Sequence, residues 1–262
     1  MGIEAIKYIF LGIIQGLTEF LPVSSSGHLV IFQTLLKIPE NIAFDTVLHL
    51  ATALALIIYF WRDIWGLITL EEKGTSLKMI WLLLIATIIT GIIGFTFKDY
   101  FESLFSSVAA VGGFLILTGV VILLGEWLGK GRRILKDMNV WDALLIGLAQ
   151  GCAIAPGLSR SGTTISASLA RNLDRQLAAK FSFLLAIPAI LGAGLLQSKA
   201  IIKAGTLGIG IWPLVLGFIA AFISGLIAIK LFMQMIQRTS IRIFAYYCFA
   251  AGALTLILSL IF

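Results

Sequence analysis

Residues 12–28 read GIIQGLTEFLPVSSSGH, and residues 147–163 read GLAQGCAIAPGLSRSGT. In both stretches an apolar run with a Gln-Gly pair is followed by a proline and then by a serine-rich turn that ends in glycine. The glutamine and that glycine are twelve positions apart in both, and the offset of 135 residues is close to half of the chain. The sequence therefore predicts two related halves, at about residues 1–130 and 131–262, in a single domain.

The composition is that of a membrane protein. Of 262 residues, 60% are hydrophobic and 12% are charged, whereas a soluble domain usually carries about 25% charged residues. Long apolar stretches alternate with short charged links, which is typical of a polytopic α-helical membrane protein. Six stretches are long enough to be transmembrane helices, namely residues 42–60, 77–97, 107–127, 179–198, 211–231 and 243–262.

Both repeated stretches stop before they could cross the bilayer. Residues 3–21 end at Pro22 and residues 140–155 end at Pro156, and few apolar residues follow each polar turn. We therefore predict two re-entrant helical hairpins, because irregular backbone at membrane depth is tolerated only inside protein or beside a wet cavity. Each half then has one re-entrant hairpin and three transmembrane helices. Because three is an odd number, the halves insert in opposite directions, as an all-α polytopic membrane protein with an inverted-topology repeat.

The basic residues give the orientation independently. On this topology, thirteen of the 19 lysines and arginines lie on one side, Arg160 lies in the second hairpin tip, and five lie on the other side: Lys7, Lys37, Lys98, Lys199 and Lys203. By the positive-inside rule the richer side is cytoplasmic, so both termini face outward at the plasma membrane. The first hairpin enters from outside and the second from the cytoplasm, and their tips meet. Because the basic residues lie in links, the net charge of +6 does not indicate a nucleic-acid partner.

Two charged side chains lie at membrane depth in this prediction. Glu19 is the one acid well inside a membrane segment, and Arg160 is the one arginine there. A charged side chain near the bilayer centre costs about 2.5–3.5 kcal/mol on insertion scales, so its presence usually marks function. An ion pair that only fixes helix packing is the alternative. It would not need the surrounding His28 and the hydroxyl groups of Ser24, Ser25, Ser26, Ser159, Ser161, Thr163 and Thr164.

The outgoing half of each hairpin begins directly after a serine-rich turn. Its first four N–H groups have no partner in the helix and carry the positive end of the helix dipole, which makes such helix starts sites for phosphate. Two of them face each other here, and Arg160 adds a planar fork that matches phosphate oxygens. Two adjacent anion pockets suit a diphosphate.

Catalysis needs a nucleophile as well as an anion site. Ser25 could attack phosphorus with His28 as its base, or His28 could attack directly, and their i, i+3 spacing brings them near each other. Gln15 and Glu19, at i and i+4, share a helix face that points to the same tip. Hard oxygen ligands of this kind suit Mg²⁺ or Ca²⁺ bridged through substrate phosphates. His49, on the next span, serves either packing or support of the site.

The stretches QGLTEFLPVSSSGH, residues 15–28, and PGLSRSGTTI, residues 156–165, closely resemble the two signature motifs of the undecaprenyl-pyrophosphate phosphatase family, also called the bacitracin-resistance protein. The resemblance covers essentially the whole chain. It implies a metal-dependent hydrolase that converts undecaprenyl or another polyprenyl pyrophosphate to the monophosphate and inorganic phosphate. This step recycles the lipid carrier for cell-wall and surface glycan synthesis. The family also implies an active site open mainly to the outer face.

The resemblance assigns roles by position. Ser25, His28 and Glu19 match catalytic positions, Glu19 and Gln15 match the metal-associated motif, and the substrate-binding positions are Ser24, Ser26, Ser159, Arg160, Ser161 and Thr164. Some members of the family have Glu where this chain has Gln15, so Glu19 is the only anionic ligand of the pair. This departure leaves the metal affinity and the preferred ion open.

Two other functions fit part of the pattern. A transporter or flippase for polyprenyl phosphate would use the same anion clamp, but it would not need a nucleophile beside it. A structural scaffold would leave a buried acid and a buried arginine unexplained. The sequence does not determine the prenyl chain length or the oligomeric state, for which a homodimer is one alternative.

Overall fold

The regular structure of this chain is helical wherever it is described. The computed structural model describes residues 2–39, 41–204 and 208–260. A short 3-10 turn spans Leu135–Asp137. The α-helices are α1 Gly2–Phe20, α2 Ser25–Leu36, α3 Ile42–Tyr59, α4 Trp61–Ile68, α5 Lys73–Thr96, α6 Lys98–Phe105, α7 Val108–Leu128, α8 Val140–Cys152, α9 Arg160–Ala170, α10 Arg175–Ala204, α11 Ile211–Met235 and α12 Arg242–Leu258.

Five of the described helices are long and apolar enough to cross a membrane, and they match five of the six predicted spans. These helices are α3, α5, α7, α10 and α11. The sixth predicted span corresponds to α12, which has 17 residues, and its last two predicted positions lie outside the described residues. The side chains of Lys199 and Lys203, which the prediction placed on the outer side, also lie outside the described part of the chain. The prediction of an all-α, polytopic membrane protein is confirmed.

Two eight-residue helices, α4 and α6, were not predicted. The period of a helix is hard to recognise over two turns, so the sequence read these segments as links. On α4, the rings of Trp61 and Trp65 stack with centroids 5.9 Å apart and are both exposed. Exposed tryptophans beside a span are typical of the membrane–water interface.

We call α1, α2 and their loop the first hairpin, and α8, α9 and their loop the second hairpin. Each incoming helix packs against a long helix of the other half of the chain, α1 against α11 and α8 against α5. Glycines make this contact close. A Cβ atom at Gly12 would lie 2.4 Å from the carbonyl oxygen of Gly217, and one at Gly147 would lie 2.6 Å from that of Ala86. Small residues of this kind let helix backbones approach each other inside membranes.

An aromatic cluster lies beside the end of α1. The ring of Phe20 meets Phe183 of α10 edge to face at 5.7 Å, and Phe183 meets Phe232 of α11 at the same distance. All three are fully or almost fully buried. Because these rings fix the last residue of α1, they also fix Glu19, the residue before it.

The base of the second hairpin is tied by an ion-pair network. Asp142, in the first turn of α8, is fully buried and accepts two hydrogen bonds from Arg133, at 2.9 and 2.6 Å, and one from Arg171 at 2.6 Å. Burial alone would raise the pKa of Asp142, but the hydrogen bonds from Arg133 and Arg171 hold the pKa below its ordinary value. The network connects α8, the end of α9 and the link before α8.

Besides Glu19, the acid that the sequence placed well inside a membrane segment, two further acids are buried in the structure. Asp142 and Glu126 are also buried carboxylates. Glu126, near the end of α7, accepts two hydrogen bonds from Arg175 at 2.8 and 2.5 Å and one from the amide of Ile241 at 2.8 Å. Both acids lie near helix ends, where the sequence alone reads a charge as solvated.

Candidate active site

The loop of the first hairpin is closed by Ser24. Its hydroxyl caps α2 by accepting a hydrogen bond from the amide of Gly27 at 3.3 Å. Ser24 has φ at 68°, in the left-handed region that few non-glycine residues adopt. Strain of this kind persists only where the surrounding contacts impose it, and it is common at functional sites.

The loop of the second hairpin is built in the same way. The hydroxyl of Ser159 caps α9 by accepting from the amide of Gly162 at 3.0 Å. Gly157 has φ at 93°, and a Cβ atom there would lie 2.4 Å from the carbonyl oxygen of Val111. Thr118 of α7 fixes this loop, because its hydroxyl donates to the carbonyl of Gly157 and accepts from the amide of Ser159, both at 2.9 Å.

The two loops are in direct contact. The hydroxyl of Ser24 accepts from the amide of Gly157 at 3.1 Å, and the hydroxyl of Ser161 donates to the carbonyl of Leu21 at 3.1 Å. A Cβ atom at Gly27 would come within 3.0 Å of the Cα atom of Gly157. The starts of α2 and α9 are therefore neighbours, as the sequence predicted.

Glu19 is the centre of the polar contacts between the hairpins. Its Oε1 accepts from Nη2 of Arg160 at 2.7 Å. Its Oε2 accepts from the hydroxyl of Ser25 and from Nε2 of Gln15 at 2.9 Å. His49 of α3 places Nε2 3.8 Å from the same oxygen. The sequence left two roles open for His49, packing or support of the site. In the structure it lies next to Glu19.

His28 and Ser25 do not bond to each other in the described hydrogen bonds, although their spacing on α2 suggested a catalytic pair. Nδ1 of His28 lies 2.8 Å from the carbonyl oxygen of Ser24, and Nε2 lies 2.6 Å from the hydroxyl of Tyr247 on α12. The hydroxyl of Ser25 instead donates to Glu19, near the end of α1. The ring of His28 lies between the carbonyl of Ser24 at the start of α2 and the hydroxyl of Tyr247 on α12. Sequence reasoning missed Tyr247, which is 219 residues away in the chain.

The remaining predicted substrate-binding residues divide into two groups. Hydroxyls at the tips form the pairs Ser24–Ser26 at 3.4 Å and Ser159–Ser161 at 3.3 Å. Thr164 lies one turn inside α9 and is fully buried. Its hydroxyl donates to the carbonyl of Arg160 at 2.7 Å and contacts the hydroxyl of Ser182 on α10 at 2.6 Å. In this arrangement Thr164 connects α9 to α10.

Two buried polar atoms at this site have no hydrogen-bond partner within the described residues, namely Nη1 of Arg160 and Oε1 of Gln15. Buried polar groups are normally paired. A charged donor beside two helix starts fits a phosphate oxygen, and an acceptor beside a carboxylate fits a cation. Among the described residues no three His, Cys, Asp or Glu side chains cluster as a metal site. A cation held by Glu19 and Gln15 would therefore complete its shell with water and substrate phosphates, as Mg²⁺ commonly does.

Comparison with known proteins identifies the family. The family model described as "Bacitracin resistance protein BacA" matches residues 8–254. An undecaprenyl-diphosphatase of Halothermothrix orenii is 46% identical over 260 residues, which cover 99% of this chain and 100% of the relative. One from Methanosphaera stadtmanae is 42% identical over 281 residues and 99% of both chains. "Undecaprenyl-diphosphatase 3" of Bacillus cereus is 40% identical over 254 residues, 97% of this chain and 96% of the relative. The chain therefore belongs to the bacitracin resistance protein BacA family.

Proposed function

We propose that this chain is an integral membrane phosphatase that hydrolyses a polyprenyl diphosphate to the monophosphate and inorganic phosphate. The undecaprenyl lipid named in its relatives is the expected substrate, and the product is the recycled lipid carrier for cell-wall and glycan synthesis. The observation that carries the proposal is the guanidinium of Arg160. One of its terminal nitrogens pairs with Glu19, and the other is buried without a partner among the described residues, beside the starts of α2 and α9.

The anion site is expected to bind both phosphates of the substrate. Ser24 and Ser159 cap the amides of Gly27 and Gly162. The amides of the first two residues of α2 and of α9 lack partners inside their helices, and both helix starts carry the positive end of a dipole. The free nitrogen of Arg160 adds a charged donor between them, and the hydroxyls of Ser26 and Ser161 lie at the same tips. A diphosphate carries enough negative charge to interact with both helix starts, whereas a single phosphate would engage mainly one.

Ser25 is the nucleophile that the contacts favour. Its hydroxyl donates to Glu19, so Oγ can attack the terminal phosphorus while its proton passes to the carboxylate. The bond from phosphorus to the bridging oxygen breaks, and the polyprenyl monophosphate leaves. Water then hydrolyses the phosphoserine and releases inorganic phosphate. Direct attack by His28 is the alternative, and it requires Nε2 to leave the hydroxyl of Tyr247.

A divalent cation, Mg²⁺ or Ca²⁺, belongs to the same proposal. Glu19 and the free Oε1 of Gln15 would hold it. When bound, the cation supplies positive charge that offsets the charge on the phosphoryl oxygens. The carboxylate of Glu19 orients both Ser25 and Arg160, which positions the nucleophile against the anion site.

We further propose the inverted-topology repeat, with two re-entrant hairpins, both termini outside and the site open toward the outer face. Two observations support the repeat and the hairpins, and the distribution of basic residues supports the orientation. The contact of α1 with α11 corresponds to that of α8 with α5 when the halves are exchanged. Neither α1 nor α8 is among the described helices that are long and apolar enough to span.

Phosphate release from undecaprenyl diphosphate in detergent micelles tests the activity directly. The purified protein is assayed with Mg²⁺, with Ca²⁺ and with a chelator, and we expect release that the chelator abolishes. A protein that releases no phosphate under any of these conditions would contradict the proposed function. Ser25→Ala and His28→Ala are compared in the same assay. Retained activity in S25A with loss in H28A would identify His28 as the nucleophile.

Cysteine labelling tests the topology. Lys37, at the end of the first hairpin, is predicted to face outward and Arg171, at the end of the second, to face the cytoplasm. Cysteines at these positions, in a background without Cys152 and Cys248, are exposed to a membrane-impermeant thiol reagent in intact cells. We expect labelling at position 37 alone. Labelling at 171 but not 37 would exclude the proposed orientation.

A further inference from the structure

His28 has a second partner that the proposed reaction does not use. The hydroxyl of Tyr247 lies 2.6 Å from its Nε2, and the two rings stack with centroids 5.7 Å apart and planes 12° from parallel. The neighbouring Cys248 contacts the carbonyl oxygen of Pro22 at 3.5 Å. This part of α12 therefore lies directly against the loop of the first hairpin.

The hydrogen bonds define the tautomer of His28. A carbonyl oxygen can only accept, so Nδ1, which lies 2.8 Å from the carbonyl of Ser24, must carry a hydrogen. His28 is 4% exposed and has no carboxylate among its described hydrogen-bond partners. A buried charge without a partner is costly, so the ring is expected to be neutral. Nε2 then has a free lone pair, which accepts from the hydroxyl of Tyr247.

We propose that Tyr247 is a positioning residue for His28 in the hydrolysis of the polyprenyl diphosphate. The inference rests on the proposed function and on the catalytic position that the family resemblance assigns to His28. Its hydroxyl donates to Nε2 and keeps the ring in the Nδ1–H tautomer, facing α12. A phenol both donates and accepts, so the same hydroxyl can accept from Nε2 when the ring takes up a proton. Tyr247 thus satisfies Nε2 whether the ring of His28 is neutral or protonated.

The competing explanation is that the contact only satisfies the hydroxyl of Tyr247. This side chain is 47% exposed, and a phenol at membrane depth needs a hydrogen-bond partner. In that case the loss of the hydroxyl would leave the reaction unchanged. Tyr247→Phe distinguishes the two explanations, because it keeps the stacked ring and removes only the hydroxyl.

The first arm of the test is independent of activity. The chain has two histidines, so NMR of protein labelled with ¹⁵N and ¹³C histidine, with His49→Gln for assignment, resolves the ring of His28. We expect the Nδ1–H tautomer with a hydrogen-bonded Nε2 in the wild-type protein. In Y247F the Nε2 resonance is expected to move toward that of an unbonded nitrogen. A wild-type Nε2–H tautomer, or an unchanged Nε2 resonance in Y247F, would overturn the proposal.

The second arm measures phosphate release. We expect kcat of Y247F to fall about tenfold, the effect of one ordinary hydrogen bond, with KM nearly unchanged. Tyr246→Phe is the matched control, since Tyr246 is the preceding residue and is 63% exposed, and it is expected to behave as wild type. In a His28→Ala background Y247F should have no further effect, because its hydroxyl then has nothing to position.

The two arms separate this inference from the proposed function. If the wild-type protein releases no phosphate, the proposed function fails and the NMR arm still tests the bond to His28. If wild type is active, an unchanged kcat in Y247F, or a rise in KM alone, would overturn the positioning role. Should Y247F fail to fold, the proposal is tested by the tautomer of His28 in the wild-type protein. The Nδ1–H tautomer with a hydrogen-bonded Nε2 supports it, and the Nε2–H tautomer overturns it.

Discussion

The two hairpins share one frame and differ in their chemistry. At an offset of 135 residues, the caps Ser24 and Ser159 each accept from an amide three positions on, and each pairs with the serine two positions on. The residue between each pair of serines differs, Ser25 in the first hairpin and Arg160 in the second. Glu19 corresponds to Ile154, and His28 corresponds to Thr163.

The bases of the hairpins repeat this relation. In the first hairpin Nζ of Lys7 donates to the carbonyl of Leu36 at 3.1 Å. The equivalent positions in the second hairpin are Asp142 and Arg171, which form an ion pair at 2.6 Å. In both hairpins these two positions connect the start of the incoming helix to the end of the outgoing helix. The residue on the incoming helix is basic in the first hairpin, Lys7, and acidic in the second, Asp142. The two hairpins thus bring side chains together at equivalent positions, but the residues at those positions differ in charge and chemistry.

The largest expected effect is that of removing the acid found in only one hairpin. Glu19→Ala deprives Ser25, Gln15 and Arg160 of their common acceptor. We expect kcat for phosphate release to fall at least about 10³-fold, the upper range for loss of one group that stabilises a transition state. Glu102→Ala is the control, because Glu102 is exposed and its one ion pair among the described residues is with Lys98, at 3.6 Å. Activity of E19A near that of E102A would remove Glu19 from the reaction.

The second effect concerns stability and compares the two hairpin bases. Asp142→Asn leaves two guanidinium groups without their carboxylate, and the loss of one partner of a buried ion pair costs about 3–5 kcal/mol. Because Arg133 and Arg171 are partly exposed, we expect the lower end, measured as the free energy of unfolding in detergent titrated with SDS. Lys7→Met in the first hairpin removes one bond to a carbonyl and should cost about 1 kcal/mol.

The same network predicts how stability depends on pH. The pKa of Asp142 is lowered in the folded protein, so its contribution is fully present above the ordinary carboxyl pKa. It is lost as the pH falls through the lowered value. Acid unfolding of D142N should therefore lack this component. Parallel acid-unfolding curves for D142N and wild type would show that the network does not act through this carboxylate.

The third effect separates the shape of Arg160 from its charge. Arg160→Lys keeps the charge but loses the planar fork that can hold Glu19 and a phosphate oxygen at once. We expect kcat to fall about 10²-fold, with the folded fraction unchanged. Arg238→Lys, at an exposed position, is the control and should match wild type. Full activity in R160K would mean that a point charge is sufficient at this position.

The sequence predicted features that are local or repeated, but it did not predict contacts between residues that are distant in the chain. The apolar stretches predicted the spans because length and hydropathy act within one segment. The repeated motif predicted that Glu19, Ser25 and Arg160 lie together, and in the structure the two loops that carry them are in contact. The pairing of Ser25 with His28 was expected from their spacing and from the family resemblance, but in the fold the two side chains bond to Glu19 and Tyr247 instead. No period or spacing on α2 indicates a tyrosine on the last helix.

The smallest effect tests whether the frame itself is duplicated. Gly12→Ala and Gly147→Ala, at equivalent positions of α1 and α8, each place a Cβ atom against a backbone carbonyl of the facing helix, at 2.4 and 2.6 Å. Because a backbone cannot rotate away, each substitution should cost about 1–3 kcal/mol in the free energy of unfolding, and the two costs should be similar. Gly113→Ala on α7, where nothing lies within 4 Å, is the control and should stabilise by about 0.5–1 kcal/mol. A large cost at one glycine and none at the other would mean that the hairpins share a sequence pattern but not a packing geometry.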